Sequence, residues 1–458
     1  MGEVEPAGPR PIAVALAGDP PLPGERLDGW NGLLVPATAL QERSGPGIDG
    51  EVLDLQRALS LARARNPDLV SADADAEAAR WAAVQAGRLP KASIEVETFR
   101  AGDRLEVEGG VEIGVTDALL APARRRALLS GADAERHRAA EVGARLTYDV
   151  TAAYYAAVAA EARLGVGQRA LDALAAARDV AEARVSSGNA SALEAAMHAA
   201  AYERARGEIA ALELAREAER ERLNTLLGLL GMETEWRIEG AFSPLPESLP
   251  SDPMAERQAV AASHGLAASR ARLDQYARLG ALARTERGAP DVSVALLGAG
   301  EPAPGTEGEW RAGVGLHATL PALDGGRAEG RMWAARFDAE AARARGLLAE
   351  TGASVRGTRA RLETAHARAL HERDVVLPAW RRVTRETLLH HNAMQVGVYE
   401  LIQARADELA AELAHIETQR GFWTALAAWD ALLAGARVDG ESDIQTIELG
   451  GAPVGGGH

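Results

Sequence analysis

Two short stretches near residue 100 alternate apolar and polar side chains, which is the period of a β-strand. In LEVEGGVEIGV (105–115) the apolar residues fall on one face and the glutamates on the other. In SIEVETF (93–99) the same rule separates Ile94 and Val96 from the glutamates. The two stretches are predicted to form a hairpin with one acidic face. The glutamates of that face are Glu95, Glu97, Glu106, Glu108 and Glu112.

This acidic face has two interpretations. An antiparallel sheet of a soluble protein commonly packs one face on a core and exposes the other to water. A membrane barrel shows the same alternation, because its strands face lipid on one side and the lumen on the other over about ten residues. The hairpin alone leaves both interpretations open, so the choice depends on the rest of the chain.

Long helices are predicted after the hairpin. From residue 124 to 185 the chain is rich in Ala, Leu, Arg and Glu and has few helix breakers. A helix of about sixty residues would extend roughly 90 Å. Ser186–Asn189 supplies a turn, and Ser191 with Glu194 is typical of a capping box that opens a return helix.

The second half of the chain repeats this order. PDVSVAL matches PKASIEV at an offset of 290 − 90 = 200 residues. EWRAGVGLHATL (309–320) alternates again and places Arg311 and His317 on the polar face. A second long helix follows, with a kink expected at Pro378. Its turn, residues 395–399, is expected to match the first turn, with Gly397 lying 397 − 188 = 209 residues after Gly188.

These patterns predict a mainly α protein with a small β portion, in which helix, strand hairpin and long helical hairpin are duplicated. The predicted segments are an extended N-terminal arm (1–50), a first repeat (51–245), a second repeat (246–435) and a C-terminal tail (436–458). The first repeat is expected to contain strands at about 92–99 and 105–115 and long helices at about 124–186 and 190–227. The second is expected to contain strands at about 291–298 and 309–320 and long helices at about 327–391 and 399–433.

Composition excludes several classes of function. The 458 residues carry a formal net charge of −16, which argues against nucleic acid as a partner, and the absence of cysteine excludes disulfides and thiolate metal sites. No apolar run reaches about 18 residues, and the N-terminal apolar segment is too short for a convincing signal peptide.

Neither a phosphate loop, a nucleophile elbow nor an HExxH zinc motif is present, so no catalytic residue, metal or cofactor is expected. His390 and His391 are adjacent on a helix, poorly placed for one metal, and are expected to be solvated.

Two strand hairpins cannot close a barrel by themselves. Unpaired strand edges do not persist in lipid, and the smallest usual barrels have eight strands. If these strands are in a membrane, several copies of the chain must therefore contribute to one barrel. The long Ala-rich helices also require lateral packing, within the chain and between chains.

In the order of its motifs, the chain resembles the TolC family of outer membrane efflux proteins over about residues 53–435. The segments that carry the resemblance are LDLQRALSLARARNPDL, GRLPKASIEV, PDVSVAL, LPALDGGRAEGR, RVSSGNASALEAA and MQVGVYELIQA. The turn GVYELIQA is especially similar to members that serve heavy-metal and related exporters of the resistance-nodulation-division type.

The resemblance implies a homotrimer with a twelve-stranded barrel in the outer membrane of a Gram-negative bacterium and a helical barrel in the periplasm. It also implies a passive duct that works with a periplasmic adaptor and an inner membrane efflux pump, and is not an enzyme.

The resemblance implies roles for two sets of residues. The adaptor-docking tips correspond to Ser187, Gly188, Asn189 and Ala190 and to Val396, Gly397, Val398 and Tyr399. The periplasmic aperture corresponds to Glu194, Glu400 and Gln403. Gln403 departs from the doubly acidic pattern of the family, so a weaker or differently charged gate is expected. A glycine at a helix end and a carboxylate in a first helical turn also occur without any such role.

If the barrel face is assigned correctly, the five glutamates of the hairpin, Arg311 and His317 face the lumen. Such rings would favour cations. The alternative function is that of a soluble or periplasmic coiled-coil scaffold or adaptor protein without a membrane barrel. An adaptor normally has one helical hairpin flanked by compact β domains, whereas this chain has two equivalent halves.

Overall fold

The computed structural model describes residues 52–101, 104–249, 252–288, 290–300, 310–319 and 327–438. The predicted N-terminal arm, the tail from residue 439 and Leu320 lie outside the described residues. The chain divides into two compact units. The smaller unit is described only over Leu230–Arg237, where a short 3-10 helix spans Gly231–Thr234.

The larger unit contains the remaining elements. Its first half consists of α1 (Leu55–Arg65), α2 (Pro67–Ala86), β1 (Ser93–Ala101), β2 (Arg104–Gly114), α3 (Val115–Ser186) and α4 (Ala192–Leu227). Its second half consists of α5 (Ala255–Ala262), α6 (His264–Gly288), β3 (Asp291–Gly300), β4 (Trp310–Thr319), α7 (Arg327–His371), α8 (Leu377–Asn392) and α9 (Val398–Leu433). The predicted fold class, mainly helical with a small antiparallel sheet, is confirmed.

The four strands form one antiparallel sheet in the order β1-β2-β3-β4. The register pairs Glu97 with Glu108, Glu112 with Ala295, and Ala299 with Arg311. β2 and β3 lie far apart in sequence, so their pairing joins the two halves of the chain. Among the described residues β1 and β4 each pair with one neighbour, and each therefore leaves one edge unpaired.

The helix α3 begins at Val115, directly after β2, and not near residue 124 as the pattern suggests. Pro122 lies inside the helix, where its missing N–H removes a hydrogen bond. Tertiary contacts offset this cost. Thr116 donates its hydroxyl to the carbonyl of Pro290 at 3.0 Å, and Arg124 bridges Asp117 and Glu286 at 2.8 Å each.

The second long helix is interrupted before Pro378, where the sequence predicts a kink. A π-helical turn, Glu372–Val376, separates α7 from α8, and Pro378 lies in the first turn of α8. A π turn contains one extra residue, which accommodates the proline without ending the helical path.

The helices pack largely through small side chains. Most of the buried residues of α3 are alanine, and this permits close contacts with α2, α4, α6 and α9. Large buried side chains are few and include Phe422, whose ring contacts His366 and Trp423 at centroid distances of 5.4 and 5.2 Å. Among the described residues, none of the helices combines the length and apolar character that crossing a bilayer requires.

Asn66 and Gly228 form a tight junction between α1, α2 and α4. The side chain of Asn66 caps α2 by accepting from the N–H groups of Asp68 and Leu69 at 3.0 and 3.1 Å, and it donates to the carbonyl of Leu226 at 3.0 Å. Gly228 ends α4 with a φ of 66°. Because this glycine lies against the carbonyl of Arg65, the junction has no room for a larger residue.

Candidate functional site: a four-stranded sheet and two helical turns

The sheet register brings the predicted lumen residues onto one face. Glu97 and Glu108 are direct partners, and the alternation along the four strands places the other predicted residues on the same side. We call this side the carboxylate face. Its charged and titratable residues are Glu95, Glu97, Glu106, Glu108, Glu112, Arg311 and His317. Their role in lining a lumen stays a prediction.

The negative charge of the carboxylate face is only partly compensated. Arg311 lies 3.9 Å from Glu106, and His317 lies 3.5 Å from Glu112, which also accepts a hydrogen bond from Ser293. Among the described residues Glu95, Glu97 and Glu108 form no ion pair. Glu97 and Glu108 lie directly opposite one another, and like charges in that position destabilise a sheet.

A groove of about 400 Å³ runs along the carboxylate face. Glu95, Glu97 and Glu108 line it together with the glycine-rich middle of β2 and with Leu297. The structure therefore gathers carboxylates from β1 and β2 around an open, polar space that suits hydrated cations. Among the described residues no group of three or more His, Asp or Glu side chains is placed to hold a metal ion.

The opposite face of the sheet is apolar and exposed. Ile94 is 76% exposed, Val314 74% and Leu316 69%, and Trp310 on the same face is 67% exposed. A sheet of a soluble protein would pack such a face on a core. In the part of the chain that the structure describes, no helix covers this apolar face.

Turn 1, residues 187–191, joins α3 to α4. Gly188 has a φ of 76° and lies in open space, while the N–H of Asn189 donates to the carbonyl of Arg184 at 2.7 Å. Ser191 caps α4 by accepting from the N–H of Glu194 at 3.1 Å. The predicted tip residues Ser187, Gly188, Asn189 and Ala190 therefore all lie in this turn.

Arg184 holds the two sides of turn 1 together. Its guanidinium lies 2.7 Å from the carboxylate of Glu194 and donates to the carbonyl of Asn189 at 3.3 Å. Glu194, assigned to the aperture by the resemblance, thus has a structural partner as well.

Replacing Arg184 with alanine is expected to loosen turn 1 without unfolding the protein. The ion pair is half exposed and is worth about 1 kcal/mol or less, so amide hydrogen exchange in residues 187–191 should accelerate by up to about fivefold. Exchange measured by mass spectrometry checks this. Arg206→Ala removes an exposed ion pair with Glu203 on the same helix and should leave the turn unchanged. Unchanged exchange in Arg184→Ala would show that the pair does not hold the turn.

Turn 2, residues 393–397, joins α8 to α9 and differs from the prediction. The residue with a left-handed backbone is Met394, with a φ of 57°, and Gly397 is instead the N-cap of α9. Gly397 therefore corresponds to Ser191, at an offset of 397 − 191 = 206 residues, and not to Gly188. Val398 and Tyr399 lie in the first turn of α9, so of the four predicted residues only Val396 and Gly397 belong to the connection itself.

Two histidines stabilise turn 2. The Nδ1 atom of His391 lies 3.1 Å from the carbonyl of Val396, and His390 contacts the side-chain oxygen of Gln395. His390 is exposed, as expected, and His391 is half-buried, and each also contacts an atom on the other side of the turn, which the sequence did not predict. Sequence reasoning also missed Met394, which is 95% exposed at its apex. Met394 precedes Glu400 by the same number of residues as Gly188 precedes Glu194. Comparing these two spacings could have located Met394 from the sequence.

The other aperture residues lie on α9. Glu400 is in its first turn, and Gln403 donates to Asp407 at 3.1 Å. Glu408 lies about one turn further along the helix. Burial alone would raise the pKa of its carboxyl, but hydrogen bonds from the hydroxyl of Thr384 and the guanidinium of Arg405 lower it by more, so the pKa lies below its usual value. The structure thus places acidic groups along α9 beyond Gln403.

Solved structures with the same architecture include several bacterial channels. The outer-membrane channel OprN superposes with a TM-score of 0.67 over 83% of this chain and 90% of its own, at 18% identity. CmeC of Campylobacter jejuni gives 0.66 over 85% and 86%, at 14% identity, and the open state of MtrE of Neisseria gonorrhoeae gives 0.65 over 83% and 89%, at 19% identity. The chain has the fold of an outer membrane channel. No protein-family model matches the sequence, and no curated protein matches it.

The outer membrane channel fold confirms, at the level of architecture, the family resemblance predicted from the sequence. Each of these channel chains aligns over most of its length, so the shared fold includes both the small sheet and the very long helices. In this fold the carboxylate face and the two turns become the candidate functional surfaces.

Proposed function

We propose that this chain is one protomer of a homotrimeric exit duct in the outer membrane of a Gram-negative bacterium. The duct belongs to a tripartite efflux system and passively conducts substrates from an inner membrane pump and a periplasmic adaptor to the exterior. The observation that carries the proposal is the uncovered apolar face of the sheet, with Ile94 and Val314 each about three-quarters exposed. Lipid is the environment in which such a face is stable.

The unpaired sheet edges support an oligomer, and the resemblance makes that oligomer a trimer. Each open edge leaves backbone N–H and C=O groups that cost several kcal/mol in a bilayer, so β1 of one copy must pair with β4 of the next. Three copies with four strands each give a closed barrel of 3 × 4 = 12 strands. The carboxylate face then lines the lumen, and the apolar face contacts lipid.

The long helices support a periplasmic extension. At 72 residues α3 extends about 108 Å, which exceeds the thickness of a bilayer several times. Val180, Leu193 and Leu214 on α3 and α4 are 60–73% exposed, as expected of helices that pack against neighbouring copies. The helical hairpins of three chains form a tunnel, with turns 1 and 2 at the adaptor-facing end and Glu194, Glu400 and Gln403 near its aperture.

The alternative function is that of a soluble or periplasmic coiled-coil scaffold or adaptor. The helices alone would suit it, but the sheet does not. A soluble scaffold would have to expose the apolar face of all four strands to water, which promotes aggregation.

Purification of the full-length chain distinguishes these functions. We expect it to need detergent, to have the mass of three copies by light scattering, and to appear as a threefold tube by electron microscopy. Reconstituted into a planar bilayer, it should conduct ions. A stable monomer that remains in solution without detergent would contradict the duct and favour the scaffold.

A further inference from the structure

The methionines differ in exposure where the structure describes their side chains. Met394 is 95% exposed, whereas Met254 is 53%, Met197 51% and Met332 39% exposed. Met394 is also the only non-glycine residue with a positive φ among the described residues. Helices commonly end on one residue with left-handed backbone, and at the end of α8 that residue is Met394, whose side chain is almost fully in solvent. We propose that Met394 is a site of reversible oxidation and that its oxidation sets the polarity of turn 2.

The chemistry needs an oxidant but no protein catalyst. Hydrogen peroxide transfers one oxygen atom to the thioether sulfur: an S–O bond forms, the O–O bond breaks, sulfur is oxidised by two electrons and peroxide is reduced to water. A methionine sulfoxide reductase reverses the step, using two thiols that become a disulfide while the oxygen leaves as water. Solvent access to sulfur governs the forward rate at Met394.

The backbone of turn 2 does not depend on the thioether. The N–H of Met394 donates to the carbonyl of His391, and the N–H of Gln395 donates to the carbonyl of His390, each at 2.9 Å. His391 adds its contact to the carbonyl of Val396. Because none of these bonds involves sulfur, oxidation leaves the turn folded and changes only the surface that it presents.

Two exposed apolar side chains flank Met394 on that surface. Leu389 and Tyr399, at the helix ends on either side of turn 2, are 57% and 62% exposed. Sulfoxide adds a strongly polar S=O group between them, which disfavours burial against an apolar partner surface. This consequence rests on the proposed docking of turn 2 to a periplasmic adaptor, whereas the oxidation site itself does not.

Oxidation kinetics test the site directly. The purified full-length protein is exposed to a low concentration of hydrogen peroxide, quenched at intervals, and digested for peptide mass spectrometry. We expect Met394 to oxidise roughly twice as fast as Met254 and Met197 or faster, in line with its exposure. Met394→Leu should abolish the fast phase and Met254→Leu should retain it. Oxidation of Met394 at or below the rate of Met254 would overturn the proposal.

A cellular assay tests the consequence. A host strain lacking the gene is complemented with the wild type, with Met394→Gln as a polar substitute for the sulfoxide, or with Met254→Gln as the control. Resistance is measured to a compound to which the deletion sensitises the cells. We expect Met394→Gln to lower resistance several-fold at equal trimer levels, and Met254→Gln to match the wild type.

The outcomes are distinguishable. If Met394→Gln protects as well as the wild type, the effect of oxidation on turn 2 is overturned while the duct remains supported. If the wild-type gene restores resistance to no compound, the proposed function fails, and the oxidation kinetics still decide whether Met394 is the preferred site.

Discussion

A triple variant with glutamine in place of Glu95, Glu97 and Glu108 is expected to lose the cation preference of the reconstituted pore. These carboxylates lie on the carboxylate face and line its groove, so the variant removes three negative charges from that face of each chain. In a trimer they provide 3 × 3 = 9 negative charges around one lumen. Rings of carboxylates raise the local concentration of cations and lower that of anions.

The measurement is the reversal potential in a planar bilayer that separates two concentrations of potassium chloride. The wild type should prefer potassium over chloride, and the triple variant should approach equal permeation of both ions, a shift of several-fold in the permeability ratio. The preference of the wild type should also weaken at high salt, because the Debye length falls to about 3 Å at 1 M.

Aspartate at the same three positions provides the matched control. It keeps the charge and shortens the side chain by one methylene, so selectivity should be largely retained. If the aspartate variant loses selectivity as fully as the glutamine variant, then pore shape and not charge controls permeation. A wild-type pore without ion preference would show that the carboxylate face does not line the lumen.

The strands and their faces could be predicted from the sequence because strand alternation is a local property. The side chain at each position of SIEVETF points to the side opposite its neighbour's, whatever the partner strand is. The offset of 200 residues between PKASIEV and PDVSVAL likewise located β3. The start of α3 could not be predicted, because contacts of Thr116 and Arg124 with residues more than 160 positions away offset the cost of Pro122.

Turn 2 could not be predicted because a glycine was taken as the marker of left-handed backbone. Glycine is the usual residue for that conformation, and Gly397 was the nearest one. In the structure the hydrogen bonds of the turn hold Met394 there instead, and Gly397 adopts the extended backbone of an N-cap with φ −76° and ψ 172°. Side-chain contacts across a turn are not visible in a local pattern.

Gly228→Ala is expected to be among the most destabilising small substitutions in the chain. An added Cβ would lie 2.7 Å from the carbonyl oxygen of Arg65, a backbone atom that cannot move away independently. The φ of 66° adds the cost of left-handed backbone, about 1–2 kcal/mol for an L-residue, and overpacking adds about 1–3 kcal/mol. The free energy of unfolding should therefore fall by about 3 kcal/mol, and the junction at Asn66 should separate.

Gly188→Ala separates the two costs, because Gly188 has a similar φ of 76° but no atom within 4 Å of the added Cβ. It should lose only the backbone cost, about 1 kcal/mol. The unfolding midpoints of both variants and the wild type, compared in one detergent by circular dichroism, measure the difference. Equal losses in the two variants would show that α4 shifts away from Arg65 freely. A much larger loss at Gly228 would show that the contact between α1 and α4 is rigid, because the backbone of Arg65 then cannot yield to the added methyl group.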